Sequence, residues 1–145
     1  MFKHILLPVD GSRTSQAAVS KALGLAKAFG SKVSAIYVID PYPFSGVGSD
    51  FAYGQNEYLT AANAEANAAI KYAKESLVDA GVPVETHVVE GHNTWRGIVS
   101  TAESLHADLI VMGSHGRSGI EKLVLGSVAQ ATLTHTKLPV LIARA

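Results

Sequence analysis

Hydrophobic residues follow two alternating patterns along the chain. Five short apolar runs alternate with longer segments in which apolar residues recur every three or four positions. The first pattern is typical of strands buried on both faces, and the second of amphipathic helices. Their alternation predicts an α/β protein in which helices cover both faces of a parallel sheet. The predicted strands are residues 5–9, 33–39, 84–89, 108–112 and 140–143.

The helical segments carry recognisable start and stop signals. Ser12 or Thr14 provides a cap for the first helix, and Gly30 ends it. Gly81 and Pro83 end the second helix, and Pro139 separates the last helix from the final strand. The later helices are predicted to begin near Glu57, at Thr94 and near Ser127.

Residues 41–55 do not fit this alternation. They combine prolines and glycines with four aromatic residues, so they are predicted to form a loop. A loop of this length is usually functional or mobile, and the alternative is a surface loop whose aromatic residues pack locally. Because no repeat or linker interrupts the rest of the chain, residues 1–145 are predicted to form one domain.

Composition narrows the possible functions. Charged residues make up 17% of the 145 residues, against about 25% in typical proteins, which hints at self-association. The formal net charge is zero, so nothing indicates nucleic-acid binding. Without cysteine there is no disulfide or thiolate metal site. No apolar run approaches the length of a membrane span, and the amino terminus does not resemble a signal peptide. We therefore expect a cytoplasmic protein without a membrane partner.

The segment that follows the fourth predicted strand is rich in glycine. Gly113, Gly116, Gly126 and Ser127 give the spacing G-x2-G-x9-G-S. Phosphate oxygens need several donors at close range, and glycine main chains supply N–H groups that no side chain blocks. A helix that begins at Ser127 adds further N–H groups and a partial positive charge. The pattern predicts a phosphate site.

Each of these residues has a plainer explanation by itself. A glycine after a strand often only turns the chain, and a serine at a helix start is often an ordinary cap. The combination favours phosphate binding. Neither G-x4-G-K-[S/T] nor G-x-G-x-x-G after the first strand is present, which argues against a Walker-type ATPase and a dinucleotide enzyme.

The chain resembles the universal stress proteins, in the subgroup that binds ATP through G-x2-G-x9-G-[S/T]. The resemblance rests on ILLPVDGS at residues 5–12, DLIVMGSHGR at 108–117, LGSVA at 125–129 and LPVLI at 138–142. It implies an open five-stranded parallel sheet in the order 3-2-1-4-5, a three-layer α/β/α Rossmann-like fold related to the adenine nucleotide α-hydrolases. It also implies a homodimer formed through residues 140–143, whose apolar edge would otherwise remain unpaired.

The resemblance further implies an adenine nucleotide site. The main chain of Val38 would read adenine, Val9 would line the same apolar slot, and Asp10 would lie near the ribose and phosphates. Met112 and Gly113 would flank the ribose and α-phosphate. The residues carried over from the family are Pro8, Val9, Asp10, Val38, Met112, Gly113, His115, Gly116, Arg117, Gly126, Ser127 and Val128.

Asp10 and Arg117 each have two possible roles, and one residue departs from the family pattern. A carboxylate at Asp10 close to a triphosphate would be repulsive without a cation, so we infer that Mg²⁺ accompanies ATP, held mainly by phosphates and water. Asp10 could equally cap the first turn of helix one. Arg117 could neutralise a phosphate or remain solvated. Ala129 replaces a hydroxyl residue found in relatives, so one phosphate contact is missing.

The remaining polar and aromatic residues are expected to have structural roles. The histidines, including His87 and His92, lack the partners of a metal site. His135 is expected to complement the carboxyl end of the last helix, and Trp95 to pack in the core. The leading hypothesis is an ATP-binding regulatory module with little or no hydrolysis, because no convincing base faces a γ-phosphate. The alternatives are a weak ATPase or nucleotide-using enzyme, and a nucleotide-free interaction module.

Overall fold

Strands and helices alternate along the whole of the part that can be described. A computed structural model describes residues 1–40, 49–115 and 125–145. The strands are β1 (His4–Pro8), β2 (Lys32–Ile39), β3 (Val84–Glu90), β4 (Leu109–Gly113) and β5 (Val140–Ala143). The helices are α1 (Arg13–Phe29), α2 (Ser49–Asp79), α3 (Thr94–Ser104) and α4 (Ser127–His135). All five strand predictions are confirmed to within one residue at each end.

The five strands form one parallel sheet with β1 at its centre. The order is β3-β2-β1-β4-β5, as the resemblance implied. Ile5 pairs with Val33 of β2 on one side and with Leu109 of β4 on the other. Connections from β1 therefore run outward in one direction through β2 and in the other through β4. The carboxyl ends of β1 and β4 meet where the winding reverses, which is the usual ligand position in open α/β sheets.

Each face of the sheet carries its own apolar core. Alternate strand residues such as Leu7 and Val111 pack with Val19 of α1 and Leu77 of α2. On the opposite face, Leu6, Ile36 and Ile110 pack with Ile98 of α3. The strict alternation of side chains across a strand sends neighbouring residues to different faces. This arrangement explains why residues 109–112 of β4 are apolar at every position.

Helix α1 begins and ends where its sequence signals indicate. The Ser12 side chain accepts a hydrogen bond from the Ser15 N–H and acts as the N-cap. Gly30 ends the helix in the left-handed region, with φ of 66°, and its N–H donates to the carbonyl of Ala26. Gly11 also has a positive φ, of 81°, so the turn from β1 into α1 requires a conformation that favours glycine.

Helix α2 begins earlier than predicted. It starts at Ser49 rather than near Glu57, so the prediction of a loop was wrong for residues 49–55. The glycine at position 54 weakens a helix by only about 1 kcal/mol relative to alanine, which a helix of 31 residues tolerates. The rest of the predicted loop, residues 41–48, lies outside the described residues.

A polar network connects β1, β2 and the start of β4 at the amino ends of these strands. The carboxylate of Asp108 accepts hydrogen bonds from the N–H groups of Lys3 and His4, at 2.9 and 3.1 Å. The His4 ring is buried; its Nδ1 lies 3.1 Å from the Leu105 carbonyl oxygen and its Nε2 lies 2.7 Å from Ser34 Oγ. Since a carbonyl only accepts, Nδ1 carries the proton in this arrangement. Burial, followed by the charge of Lys32, lowers the pKa of His4 below 6.5.

Among the described residues, no helix combines the length and the apolar character needed to cross a membrane.

Candidate functional site

The turn after β1 brings a carboxylate and two serine hydroxyls to the reversal point of the sheet. Asp10 lies two residues beyond the end of β1, and its Oδ1 accepts a hydrogen bond from the Ser12 N–H at 2.9 Å. The Asp10 N–H donates to Ser15 Oγ at 3.1 Å, and the Ser15 N–H donates to Ser12 Oγ at 3.2 Å. The first turn of α1 is thus capped by Ser12 and not, as the alternative for Asp10 predicted, by Asp10. The Asp10 carboxylate bonds the N–H of the N-cap residue itself.

The amino end of α4 is built differently. Its N-cap is Gly126, in an extended conformation with φ of −65° and ψ of 161°, and this residue has no side chain that could cap the first turn. No acidic residue stands in that turn, and Ser127 is exposed. The Gly126 N–H donates to the Ser114 carbonyl oxygen at 2.7 Å, which fixes the helix start next to the end of β4. Unlike α1, which Asp10 precedes by three residues, α4 has no carboxylate in the four residues before it, so its first-turn N–H groups are suited to an anion.

The chain leaves β4 through a tightly held pair of residues. Ser114 is buried, and its N–H donates to the carbonyl oxygen of Ala143 in β5 at 2.8 Å. Its Oγ lies 3.0 Å from Nδ1 of His115. The hydroxyl of Thr14 in α1 donates to the His115 carbonyl oxygen at 2.5 Å. Sequence reasoning assigned no site role to Ser114 and considered Thr14 only as a helix cap.

Gly113 is small for a reason that differs from the predicted one. A Cβ atom at this position would overlap the hydroxyl oxygen of Thr14 and lie 2.8 Å from the Thr14 carbonyl carbon and 2.9 Å from the Ser15 nitrogen. Helix α1 packs directly against the last residue of β4. The glycine is therefore required by the packing of α1, independently of any phosphate.

Val9 and Val38 point to opposite faces of the sheet. Val9 is buried in the cluster beneath α1 and α2, and its N–H donates to the Ile36 carbonyl oxygen of β2 at 2.8 Å. Val38 packs against the cluster beneath α3 and α4, where a Cβ added to Gly97 would lie 2.7 Å from a Val38 methyl carbon. If both residues contribute to one adenine slot, at most one of them can do so with its side chain.

The remaining predicted site residues fall into two groups. Pro8 ends β1, Met112 is buried in β4 on the α3 and α4 side, and Val128 is half-buried in the first turn of α4. These lie on the elements that surround the reversal point. Gly116 and Arg117 lie outside the described residues, so their predicted phosphate contacts remain predictions.

A cleft of about 270 Å³ adjoins the same turn on the α1 and α2 side. It is lined by Val9, Asp10 and Gly11, with Gln16 of α1 and Tyr72 of α2 among its walls. The amino end of α4 and Val38 are not part of its lining. The cleft is therefore distinct from the position that the glycine pattern predicts for the phosphates.

The histidines outside the site take part in local pairs. His87 Nε2 lies 3.7 Å from Glu85 Oε2, and His92 Nδ1 lies 3.9 Å from Asp40 Oδ1. In the described ranges, no three histidine or acidic side chains converge in a way that could hold a metal ion. Imidazole and carboxylate groups here form pairs rather than ligand sets.

The one tryptophan packs on a histidine rather than deep in the core. Trp95 is half-buried, and its ring stacks on that of His135 with centroids 3.9 Å apart, while the Arg96 guanidinium lies 5.1 Å from the Trp95 centroid. Nδ1 of His135 donates to the Ala131 carbonyl oxygen at 2.8 Å. His135 thus bonds a carbonyl in the last turn of α4, as expected for a group that complements the end of a helix. The stack joins α3 to α4, the helix whose first turn faces the reversal point.

This geometry defines an open, doubly wound α/β protein of the Rossmann-like class. The universal stress protein family model matches residues 1–144, and the chain belongs to that family. It is 37% identical to a universal stress protein of Methanocaldococcus jannaschii over 144 residues, which cover 99% of this chain and 83% of that protein.

Two solved structures extend the comparison. The chain is similar to hypothetical protein MJ0577, with a TM-score of 0.85, 29% identity and coverage of 100% of this chain and 97% of the other. It is also similar to a universal stress protein crystallised in complex with cAMP, with a TM-score of 0.73, 29% identity and coverage of 98% and 97%. The fold therefore recurs in relatives of nearly the same length, one of which holds an adenine nucleotide.

Proposed function

We propose that this protein binds ATP together with Mg²⁺ at the reversal point of the sheet and acts as a nucleotide-dependent regulatory module in the cytoplasmic stress response. The observation that carries the proposal is the first turn of α4. Gly126 leaves that turn without a side-chain cap or an acidic residue, and its N–H is anchored to Ser114 at the end of β4. The related protein in complex with cAMP supports an adenine nucleotide as the ligand.

The difference between the two helix starts supports a direction for the bound nucleotide. At α1 the Ser15 N–H already donates to Ser12 Oγ, and Asp10, just before the helix, adds a negative charge. At α4 the first turn carries neither feature. Phosphates are therefore better accommodated at α4, and the adenine at the end of β2, where Val38 packs against Gly97.

Asp10 fits a supporting role toward Mg²⁺. Magnesium is usually held by one or two carboxylates together with phosphate oxygens and water. Asp10 is a half-buried carboxylate in the turn after β1, and within the described part of the chain no group of three or more histidine or acidic side chains could hold a metal ion. The ion would neutralise the repulsion between Asp10 and the triphosphate and would take most of its ligands from phosphate and water.

The same geometry favours holding a triphosphate over cleaving it. One oxygen of the Asp10 carboxylate accepts the Ser12 N–H, and Nδ1 of His115 lies at hydrogen-bond distance from Ser114 Oγ. A general base needs a partner that orients it toward the attacking water. Asp10 and His115 already have these neighbours as partners, and neither contact orients them toward a water that could attack a γ-phosphate, so we expect slow hydrolysis or none.

The free edge of β5 supports a homodimer. Among the described strands β5 pairs with β4 alone, which leaves Val140–Ala143 at the edge of the sheet with three partly exposed apolar residues. Such edges are usually covered, and symmetric pairing of two copies covers both at once.

The test of the proposed function is direct. The purified protein is denatured and any released nucleotide is identified by chromatography, and calorimetry then measures binding of ATP, ADP, AMP and cAMP with and without Mg²⁺. We expect ATP with Mg²⁺ to bind most tightly, and steady-state ADP production to be near background. Absence of both a released nucleotide and a heat of binding would show that the chain is a nucleotide-free member of its family.

A further inference from the structure

The hydroxyl of Thr14 links two parts of the chain that are 101 residues apart. Thr14 Oγ1 donates to the carbonyl oxygen of His115 at 2.5 Å, and Oγ1 in turn accepts a hydrogen bond from the His115 N–H at 3.3 Å. One side chain therefore holds both polar main-chain groups of one residue. Ser12 Oγ adds only a long contact to the same carbonyl, at 3.4 Å.

Thr14 is available for this contact because α1 does not need it as a cap. The cap bond is made by Ser12, whose side chain accepts the Ser15 N–H. Threonine at this position is packed tightly: a side chain at Gly113 would overlap its hydroxyl. The Thr14 hydroxyl thus fills the gap between the start of α1 and the last residue of β4.

The contact completes a set of three anchors at the exit from β4. Ser114 is tied to β5 through Ala143 and to α4 through Gly126. His115, one residue further along, is tied to α1 through Thr14. Because Ser114 and Gly126 share a hydrogen bond, the position of the His115 main chain relative to the first turn of α4 depends on the Thr14 contact.

We propose that Thr14 is a positioning residue for nucleotide binding: its hydroxyl holds the His115 main chain in register with the amino end of α4, so that the two form one phosphate-binding surface. This inference rests on the proposed function, and Thr14 itself does not contact the nucleotide. It makes a specific prediction, because the phosphate end of the ligand depends on Thr14 and the adenine end does not.

The test compares ATP with adenosine. Thr14→Val keeps the shape of the side chain and removes the hydroxyl, and the loss of one such hydrogen bond should weaken ATP binding by about tenfold. Adenosine lacks phosphates, so its Kd should change by less than about twofold. Thr14→Ser restores the hydroxyl and should restore the ATP affinity.

A matched control and a second pair of variants complete the design. Thr134→Val removes an exposed hydroxyl that donates to the Gln130 carbonyl at 2.9 Å in α4, and it should leave both affinities unchanged. Should Thr14→Val fail to fold by circular dichroism, the pair Thr14→Ser and Thr14→Ala isolates the hydroxyl without adding bulk.

The outcomes separate this inference from the proposed function. If the wild-type protein binds neither ATP nor any other adenine nucleotide, the proposed function fails and the inference falls with it. If the wild type binds ATP but hydroxyl removal leaves its Kd unchanged, or weakens ATP and adenosine equally, Thr14 has only a folding role and this inference alone is overturned.

Discussion

Placing a negative charge at the first position of α4 provides the sharpest test of where phosphates would bind. In Ser127→Asp the carboxylate stands at the start of a helix whose first turn has neither a side-chain cap nor an acidic residue. Such a charge interacts favourably with the helix macrodipole. The same charge repels any phosphate that uses the N–H groups of that turn. The substitution should therefore make the protein more stable and the complex weaker.

The two effects differ enough in size to be measured separately. The interaction with the helix is worth about 0.3–1 kcal/mol, which raises the Tm by about 1–4 °C in a chain of this size. Two unit charges about 5 Å apart repel by about 0.8 kcal/mol in bulk water and about 3 kcal/mol at the effective dielectric of a protein surface. Since 1.4 kcal/mol is tenfold in affinity, the Kd for ATP should rise by about fourfold to more than a hundredfold.

The assay is calorimetry of ATP with Mg²⁺, combined with thermal unfolding in the absence of nucleotide. Ser127→Asn is the matched control, because it has nearly the same shape as aspartate and caps helices well but carries no charge. Raising the salt concentration should narrow the difference between the Asp and Asn variants, as expected for a screened charge near the surface.

One combination of results would refute the reasoning. If Ser127→Asp folds, gains stability as calculated and binds ATP as tightly as the Asn variant does, then the phosphates lie elsewhere. The cleft between α1 and α2 would then be the next place to look for the ligand.

Three further predictions concern stability and assembly. Gly11→Ala forces alanine into a φ of 81°, so it should lower the free energy of unfolding, measured by chemical denaturation, by about 1–2 kcal/mol. Gly24→Ala adds a methyl group in the middle of α1, where no atom lies within 4 Å of it, and should raise the free energy of unfolding by about 1 kcal/mol. Equal effects of the two substitutions would contradict this assignment. The pKa of His4 is lowered in the folded state, so the unfolded chain binds the proton more readily. The contribution of His4 to stability should therefore be full above about pH 6.5 and fall as the pH drops below it. In thermal unfolding, a His4→Gln variant should lack this part of the pH dependence. Light scattering should give twice the 15.2 kDa chain mass, because the free edge of Val140–Ala143 pairs with a second copy, and a monomer at micromolar concentration would refute this.

Much of the fold follows from local signals in the sequence. Ser12 and Gly30 bound α1 as expected because capping depends on a few neighbouring residues. The start of α2 was misjudged for the same reason: glycine and aromatic residues before position 57 indicate a loop locally, although the long helix tolerates them. Local signals predict where an element begins or ends only when a long helix does not extend across them.

The arrangement of the site depended on information that the sequence does not carry locally. Thr14 and His115 meet only because β4 lies next to β1 and α1 packs against Gly113. The opposite orientation of Val9 and Val38 follows from the register of β1 with β2, in which Pro8 pairs with Ile36. Glycine spacing indicated phosphate chemistry, but it did not reveal which glycine makes room for a helix.

The hydrogen bonds of Ser114 imply a thermodynamic link between assembly and ligand binding. Its N–H is bonded to the edge strand β5, and its carbonyl is bonded to the start of α4. If β5 pairs with a second copy and α4 holds the phosphates, both events act on the main chain of one buried residue. Coupling of this kind is reciprocal: any factor by which nucleotide tightens or loosens the dimer must equal the factor by which dimerisation changes nucleotide affinity. Measurements of dimerisation and of nucleotide binding would then give the same coupling factor.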